Sequence, residues 1–134
     1  MSGGAGNDVI SGGTDAIGDS LNGGDGNDSV TGAGGNDSLA GGNGADTING
    51  GVGNDTINVG GDDTTDTIQV SGVSGDDQIV GFDVTGGTQD YIDIPAGDTY
   101  GTTQDGGNVI VDLGSGDSLT IVGVTEQQIS DNIG

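Results

Sequence analysis

Positive charge is missing from this chain: its 134 residues include no Lys, Arg or His, against 22 acidic residues that are all Asp except Glu126. No side chain can pair with a carboxylate, so at neutral pH the acids repel one another in any compact state. Compensating charge has to come from outside the polypeptide. The same lack excludes nucleic acid as a partner, because phosphate binding rests on Lys and Arg, and it disfavours an anionic membrane surface or a polyuronate. Cysteine is also absent, which removes disulfides, thiolate metal sites and thiol nucleophiles. Without His, Lys, Arg or Cys the usual bases and nucleophiles of hydrolases are missing, and a self-contained enzyme is not expected. Paired carboxylates can cleave glycosides, but here they recur at regular spacing instead of converging once.

Aromatic residues make up 2% of the chain and hydrophobic residues 28%, while Gly accounts for 33 positions. On composition alone this is an acidic, low-complexity, disordered polypeptide, and that describes the state expected without a ligand. A small domain without disulfides needs another staple, for which a structural metal is the natural substitute. No apolar run approaches the length of a membrane-spanning helix. Met1-Ser2-Gly3 carries neither the basic nor the apolar region of a secretory signal peptide, as expected of a fragment or of export by another route.

Order appears in the stretch Gly23 to Asn58, which is four consecutive nine-residue units: GGDGNDSVT, GAGGNDSLA, GGNGADTIN and GGVGNDTIN. Each spells Gly-Gly-x-Gly-x-Asp-x-aliphatic-x, with one departure at Ala33. A fixed short period joining a Gly-rich half to a β-forming half is a solenoid signature. Degenerate copies extend the series to Asp8/Ile10 and Asp19/Leu21 before it and to Asp66/Ile68 and Asp77/Ile79 after it. The Asp always stands two residues ahead of the aliphatic, and eight repeats run from Gly3 to Val80.

This GGxGxD run resembles the calcium-binding repeats of the RTX (repeats-in-toxin) proteins, which lie toward the C-terminus of proteins exported by bacterial type I secretion systems. The resemblance implies an all-β fold, a parallel β-roll. The residues lead to the same picture. Glycines at repeat positions 1, 2 and 4 supply backbone conformations of positive φ, and Asn7, Asn27, Asn36 and Asn54 are expected to tolerate left-handed geometry beside them. The triplets VIS, SLN, SVT, SLA, TIN, TIN, TIQ and QIV are too short to stand alone as strands, but stacked copies can pair in parallel about 4.8 Å apart. Two repeats then make one coil, and about four coils are expected.

One buried aliphatic per repeat does not offset the ordering of nine residues rich in Gly, so the repeats are expected to need a ligand. Calcium takes about six to eight hard oxygen donors from carboxylates and carbonyls together, which is what a Gly-rich turn with one Asp offers. Magnesium demands a tighter octahedral shell, and zinc or copper want imidazole or thiolate. A lone Asp in a turn commonly caps its own backbone; eight in register favour a metal role. Because repeats alternate sides, Asp8, Asp28, Asp46 and Asp66 are expected along one edge and Asp19, Asp37, Asp55 and Asp77 along the other. Their turns contribute Gly3, Gly6, Gly23, Gly26, Gly41, Gly44, Gly50 and Gly53 to the expected calcium sites. The pairs Asp8 with Asp28, Asp28 with Asp46, and Asp37 with Asp55 join only regular turns. Asp15, Asp25, Asp98, Asp105 and Asp131 read as solvated surface, while Asp62 and Asp63 lie in an irregular repeat where an extra ligand is conceivable.

After Val80 the composition shifts, dividing the chain into a roll over 1–80 and a β-rich flanking and capping region over 81–134. The segment GFDVTGGTQDYIDI predicts a hairpin-like pair of strands around Thr-Gly-Gly, and NVIVDL with SLTIVGV predicts a second pair around Gly114 to Asp117. Phe82, Tyr91 and Tyr100, the only aromatics, fall here and mark a conventional core. Both pieces resemble the strands that flank RTX repeats, although the final residues Ile129 to Gly134 lack the aromatic-rich ending expected of that family's secretion signal. The expected function is a calcium-folded module of a secreted or cell-surface protein, unfolded during export, with calcium and the type I secretion machinery as partners. Two alternatives are a self-associating adhesin or S-layer module, and the non-catalytic repeat module of an alginate epimerase. The missing cations argue against the last.

Overall fold

The computed structural model describes residues 1–70 and 75–134, and they form the parallel β-roll that the repeat predicts. Strands β1 (Ser2–Ala5), β3 (Ser20–Asp25), β5 (Ser38–Asn43), β7 (Thr56–Asn58) and β9 (Asp76–Val80) pair in parallel in one sheet; β2 (Val9–Gly13), β4 (Ser29–Gly34), β6 (Thr47–Val52), β8 (Thr67–Gln69) and β10 (Tyr91–Asp93) form the other. Successive repeats alternate between the sheets, so each strand pairs with the one two repeats away.

Register follows from the single aliphatic of each repeat. Ile10, Val30, Ile48, Ile68 and Ile92 stack as direct partners in one sheet. Leu21, Leu39, Ile57, Ile79 and Ile121 do so in the other. With side chains alternating along each strand, both columns point inward and every member is buried. The first strands outrun their triplets: β3 through β6 each continue through two glycine-column positions, because the glycines of neighbouring turns also align, as Gly4, Gly24 and Gly42 do. Ala33 occupies the equivalent column position between Gly13 and Gly51, and it is held at φ 79, a left-handed conformation that costs a residue with a Cβ about 1 kcal/mol.

The hairpin expected over 81–94 does not form. Residues 81–90 contain no strand; the Gly86-Gly87 loop is closed instead by the Asp90 N–H donating to the Asp83 carbonyl at 2.9 Å and the Asp83 N–H donating to Asp90 Oδ2 at 2.6 Å. This frees β10 to add to the roll, Ile92 landing beside Ile68. The second expected pair does form: β12 (Asn108–Gly114) and β13 (Asp117–Val122) are antiparallel, and β13 joins β9 in parallel. A strand with no apolar residue, β11 (Gly101–Asp105), completes that side antiparallel to β12. A short helix α1 (Glu126–Ile129) follows, its start fixed by Gln128 Oε1 accepting the Thr125 N–H at 2.9 Å.

No separate aromatic core exists. Phe82 is buried, but Tyr91 and Tyr100 stay 37% and 42% exposed, and one continuous aliphatic cluster runs from Ile10 through Val109, Val111 and Leu119 to Ile129 and Ile133. Among the described residues no helix is long and apolar enough to cross a membrane.

Candidate metal sites in the turns

The aspartates of alternate turns are linked into two ladders. On one edge the N–H of Asp8 donates to Asp28 Oδ1 (2.7 Å), Asp28 to Asp46 (2.8 Å), and Asp46 to Asp66 (2.8 Å). On the other edge Asp19 donates to Asp37 (2.8 Å), Asp37 to Asp55 (2.8 Å), and Asp55 to Asp77 (2.9 Å). Each Oδ1 thus clasps the preceding turn of its own edge. The other oxygen has no such role: Oδ2 of Asp8, Asp28, Asp37, Asp46 and Asp55 is buried with no hydrogen-bond partner. A buried carboxylate oxygen without a donor is costly, and five repeated in register define one feature of the fold.

What surrounds these oxygens is glycine and carbonyl. A Cβ built on Gly3 would lie 2.5 Å from Asp8 Oδ2 and 2.7 Å from the Gly23 carbonyl; one on Gly12 would lie 2.7 Å from Asp19 Oδ2 and 2.6 Å from the Gly32 carbonyl. At Gly23 the same space is bounded by Asp28 Oδ2 and the Gly41 carbonyl, and at Gly32 by Asp37 Oδ2 and the Gly50 carbonyl. Gly41 and Gly50 likewise face Asp46 Oδ2 and Asp55 Oδ2. Gly3, Gly12, Gly23 and Gly32 therefore keep open a cradle between a carboxylate oxygen and a main-chain oxygen of the next turn, which any side chain would fill. The fourth glycines Gly6, Gly26 and Gly44 stack on one another, the carbonyl of one turn facing the Cα of the next; Gly35, Gly53 and Gly75 do the same opposite. Among the described residues no three acidic side chains converge on one point, so an ion held here takes its remaining oxygens from these carbonyls. An oxygen-only set of that composition fits calcium.

Asparagine has a different job from the one expected. Asn7, Asn27, Asn36 and Asn54 do not adopt positive φ; the fourth glycine takes it, as at Gly26 (φ 126) and Gly53 (φ 130). The amide oxygens instead form a second ladder running the opposite way: Asn7 Oδ1 accepts the Asn27 N–H at 2.9 Å, Asn27 that of Ala45 at 3.1 Å, Asn36 that of Asn54 at 3.0 Å, and Asn54 that of Asp76 at 3.1 Å.

The first ladder also has a rung that the repeat count missed. Asp66 donates its N–H to Asp90 Oδ1 at 2.9 Å, which places Asp90 directly after Asp66. The signal was in plain view, since Asp90 precedes Ile92 by the same two residues as in every repeat, and only Thr85 and Thr88 at the first and fourth glycine positions hid it. Asp90 Oδ2 already accepts the Asp83 N–H, so this rung is satisfied by the protein alone. On the other edge Asp117 Oδ1 accepts the Gly75 N–H at 2.9 Å. Of the remaining acids, Asp15, Asp25, Asp98, Asp105 and Asp131 are exposed, as is Asp63.

Burial raises the proton affinity of Asp46, Asp55 and Asp90 above the ordinary 3.8, and neighbouring carboxylates raise it further. Asp77 is pushed to about 6 and Asp66 to about 7 by the same causes in the same order. Asp62 moves the other way, because the Thr64 hydroxyl and the Gly44 N–H donate to it. Raised folded-state values mean that the folded chain binds more protons than the unfolded one. The contribution to stability is therefore complete below about pH 4 and is lost as pH rises through about 6 to 7. In chelator, lowering the pH from about 7.5 to about 5 is expected to strengthen the β-sheet circular dichroism. A weaker or unchanged signal would show that desolvated carboxylates do not limit folding.

Paired short parallel strands, glycine cradles and two ranks of half-satisfied aspartates define a parallel β-roll of the cation-binding repeat class. The repeats are RTX calcium-binding nonapeptide repeats, whose family model matches in four copies over residues 1–16, 18–39 and 31–66. Two solved structures are similar over 98% of the chain. One is the AlgE6R3 subunit of the mannuronan C5-epimerase from Azotobacter vinelandii, at 24% identity, 80% coverage of that chain and a TM-score of 0.43. The other is the extracellular lipase LipA from Serratia marcescens, at 28% identity and a TM-score of 0.45, of which this chain spans 20%. No curated protein matches the chain.

Proposed function

We propose that this chain is a non-catalytic module of an exported protein, unfolded at the low calcium of the cytosol and folded by the higher calcium outside the cell, and that Asp8, Asp19, Asp28, Asp37, Asp46, Asp55, Asp66 and Asp77 are its metal-ligating side chains. The observation that carries the reading is the rank of buried, unpartnered Oδ2 atoms facing glycine cradles. Bound calcium supplies the positive charge and the demand for oxygen donors that the polypeptide lacks. The chain's own part is to hold Oδ1 in the ladder so that Oδ2 and the carbonyls of Gly23, Gly41, Gly32 and Gly50 stay fixed in the cradle. An unfolded, threadable chain inside and a folded one outside suits passage through a type I secretion machinery, with folding and binding coupled. The region over 81–134 acts as its cap.

Site geometry is separated from bulk charge by two substitutions that remove the same charge. Asp46→Ala deletes an unpartnered Oδ2 and the acceptor of the Asp28 N–H, whereas Asp131 is exposed and outside the ladders. In a calcium titration followed by circular dichroism, Asp46→Ala is expected to raise the folding midpoint several-fold and Asp131→Ala to leave it nearly unchanged. Equal shifts would mean that net charge alone sets the response.

A second reading, calcium-dependent self-association, is favoured by one observation: β1 and β2 stand at the outer edges of their sheets with one side unpaired, and open edges template further pairing. Particle size that rises with protein concentration in calcium supports it; a monomer at all concentrations removes it.

A further inference from the structure

The calcium intervals of the roll are not equivalent, and the difference lies in one hydrogen bond. In regular turns the N–H of the fourth glycine donates to a main-chain carbonyl of the next turn on its edge: Gly6 to Asp25 at 2.7 Å, Gly26 to Asn43 at 2.8 Å, and Gly35 to Val52 at 2.9 Å. Gly44 departs from this. Its N–H donates at 2.6 Å to a side chain, Asp62 Oδ2. The irregular stretch around Asp62 brings a carboxylate to the place where the intervals after Gly6, Gly26 and Gly35 offer a neutral carbonyl; the Gly75 N–H also meets a carboxylate, Asp117 Oδ1, but that one comes from the capping strands and not from a repeat turn. Asp62 is fixed there by a second set of bonds, its Oδ1 accepting the Thr64 N–H at 3.1 Å and the Thr64 hydroxyl.

Beneath it lies Asp46, 1% exposed, with Oδ2 buried and unpartnered, and Asp66, 2% exposed, whose Oδ1 holds the Asp46 N–H. We propose that Asp62 makes the interval between the 41–46 and 60–66 turns the tightest calcium site between two repeat turns of the roll, by adding a full negative charge where the intervals after Gly6, Gly26 and Gly35 carry a carbonyl dipole. Both oxygens of Asp62 are already engaged by N–H and O–H donors, so its effect is that of a fixed neighbouring charge and not of another ligand. A fixed like-signed charge beside a partly buried carboxylate site strengthens its attraction for a cation, because such neighbours are screened less than exposed ones. The inference rests on the calcium reading above.

The test follows calcium leaving the loaded protein after mixing with an excess of a fluorescent calcium chelator. The wild-type chain is expected to release its last ion roughly tenfold more slowly than the rest. Asp62→Asn keeps an acceptor for Gly44 and Thr64 but removes the charge, and it should merge that slow phase with the others while releasing the same total. Asp62→Glu should retain it. Asp63→Asn removes the same net charge from an exposed neighbour and should also retain it. Single-phase release by the wild type, a slow phase persisting in Asp62→Asn, or its equal loss in Asp63→Asn overturns the inference and leaves the calcium reading standing. A wild-type chain that carries no calcium into the experiment overturns both.

Discussion

Stripped of calcium at neutral pH, the chain is expected to lose its β-sheet circular dichroism, and about 0.1 to 1 mM calcium is expected to restore it while magnesium does not. The size of the effect follows from what the fold leaves unbalanced. Twenty-two acidic residues face no Lys, Arg or His, and several of the buried carboxyls are forced toward protonation at pH values where the unfolded chain ionises freely. The inward columns hold one aliphatic per strand, little apolar burial to set against so many ordered glycines. Magnesium is expected to fail in the cradle, because an irregular rim of main-chain oxygens suits a large coordination shell better than a tight octahedron that gives up water reluctantly. A chelated sample with a full β spectrum and a cooperative melt at neutral pH would falsify this account.

The second large effect is expected from removing residues 81–134. A chain ending at Val80 keeps all eight repeat aspartates, yet it is expected to stay largely unfolded at calcium concentrations that fold the whole chain. Solenoid repeats draw stability from their neighbours, and an end rung without a cover exposes its column. The truncation removes β10 from Ile68 and β13 from Ile79, along with the acceptor of the Asp66 N–H at Asp90. It also removes Ile129 and Ile133, which close the cluster. Calcium titrations of the two chains decide the matter. An unchanged midpoint in the shorter one means that the repeats nucleate and cap themselves.

Much of this architecture is legible in the residues because the repeat encodes it twice, once as glycine and Asp at fixed offsets and once as a lone aliphatic. Position after position, from Ile10 to Ile79, the aliphatic gives the register without any knowledge of the turns. Legibility fails where one of the two codes is missing. At Asp90 and Ile92 the aliphatic code persists while Thr85 and Thr88 replace the first and fourth glycines, and the alternation of Phe82, Val84 and Tyr91 imitates a hairpin. At β11 there is no apolar residue at all, since the strand is held by its pairing with β12 and not by burial. The asparagines escape a local reading for another reason. Their backbone tolerance is a local property, whereas their ladder depends on a partner 18 to 22 residues away, which no local preference can report.

The repeats also differ in length at places that can be located: the step from Ile10 to Leu21 is longer than that from Leu21 to Val30, and the surplus sits in the exposed bends around Thr14 to Gly18. Register is nevertheless recovered on both sides, Ser11 opposite Thr31 and Ser20 opposite Ser38. Extra residues in a turn bulge sideways off the edge, but one extra residue within Ser29-Val30-Thr31 would swing Val30 outward and break its column. Descent with insertion is thus channelled to the edges of the roll, and so is grafting: a foreign loop spliced at Thr14 to Gly18 would be displayed laterally by a scaffold whose rungs need not move.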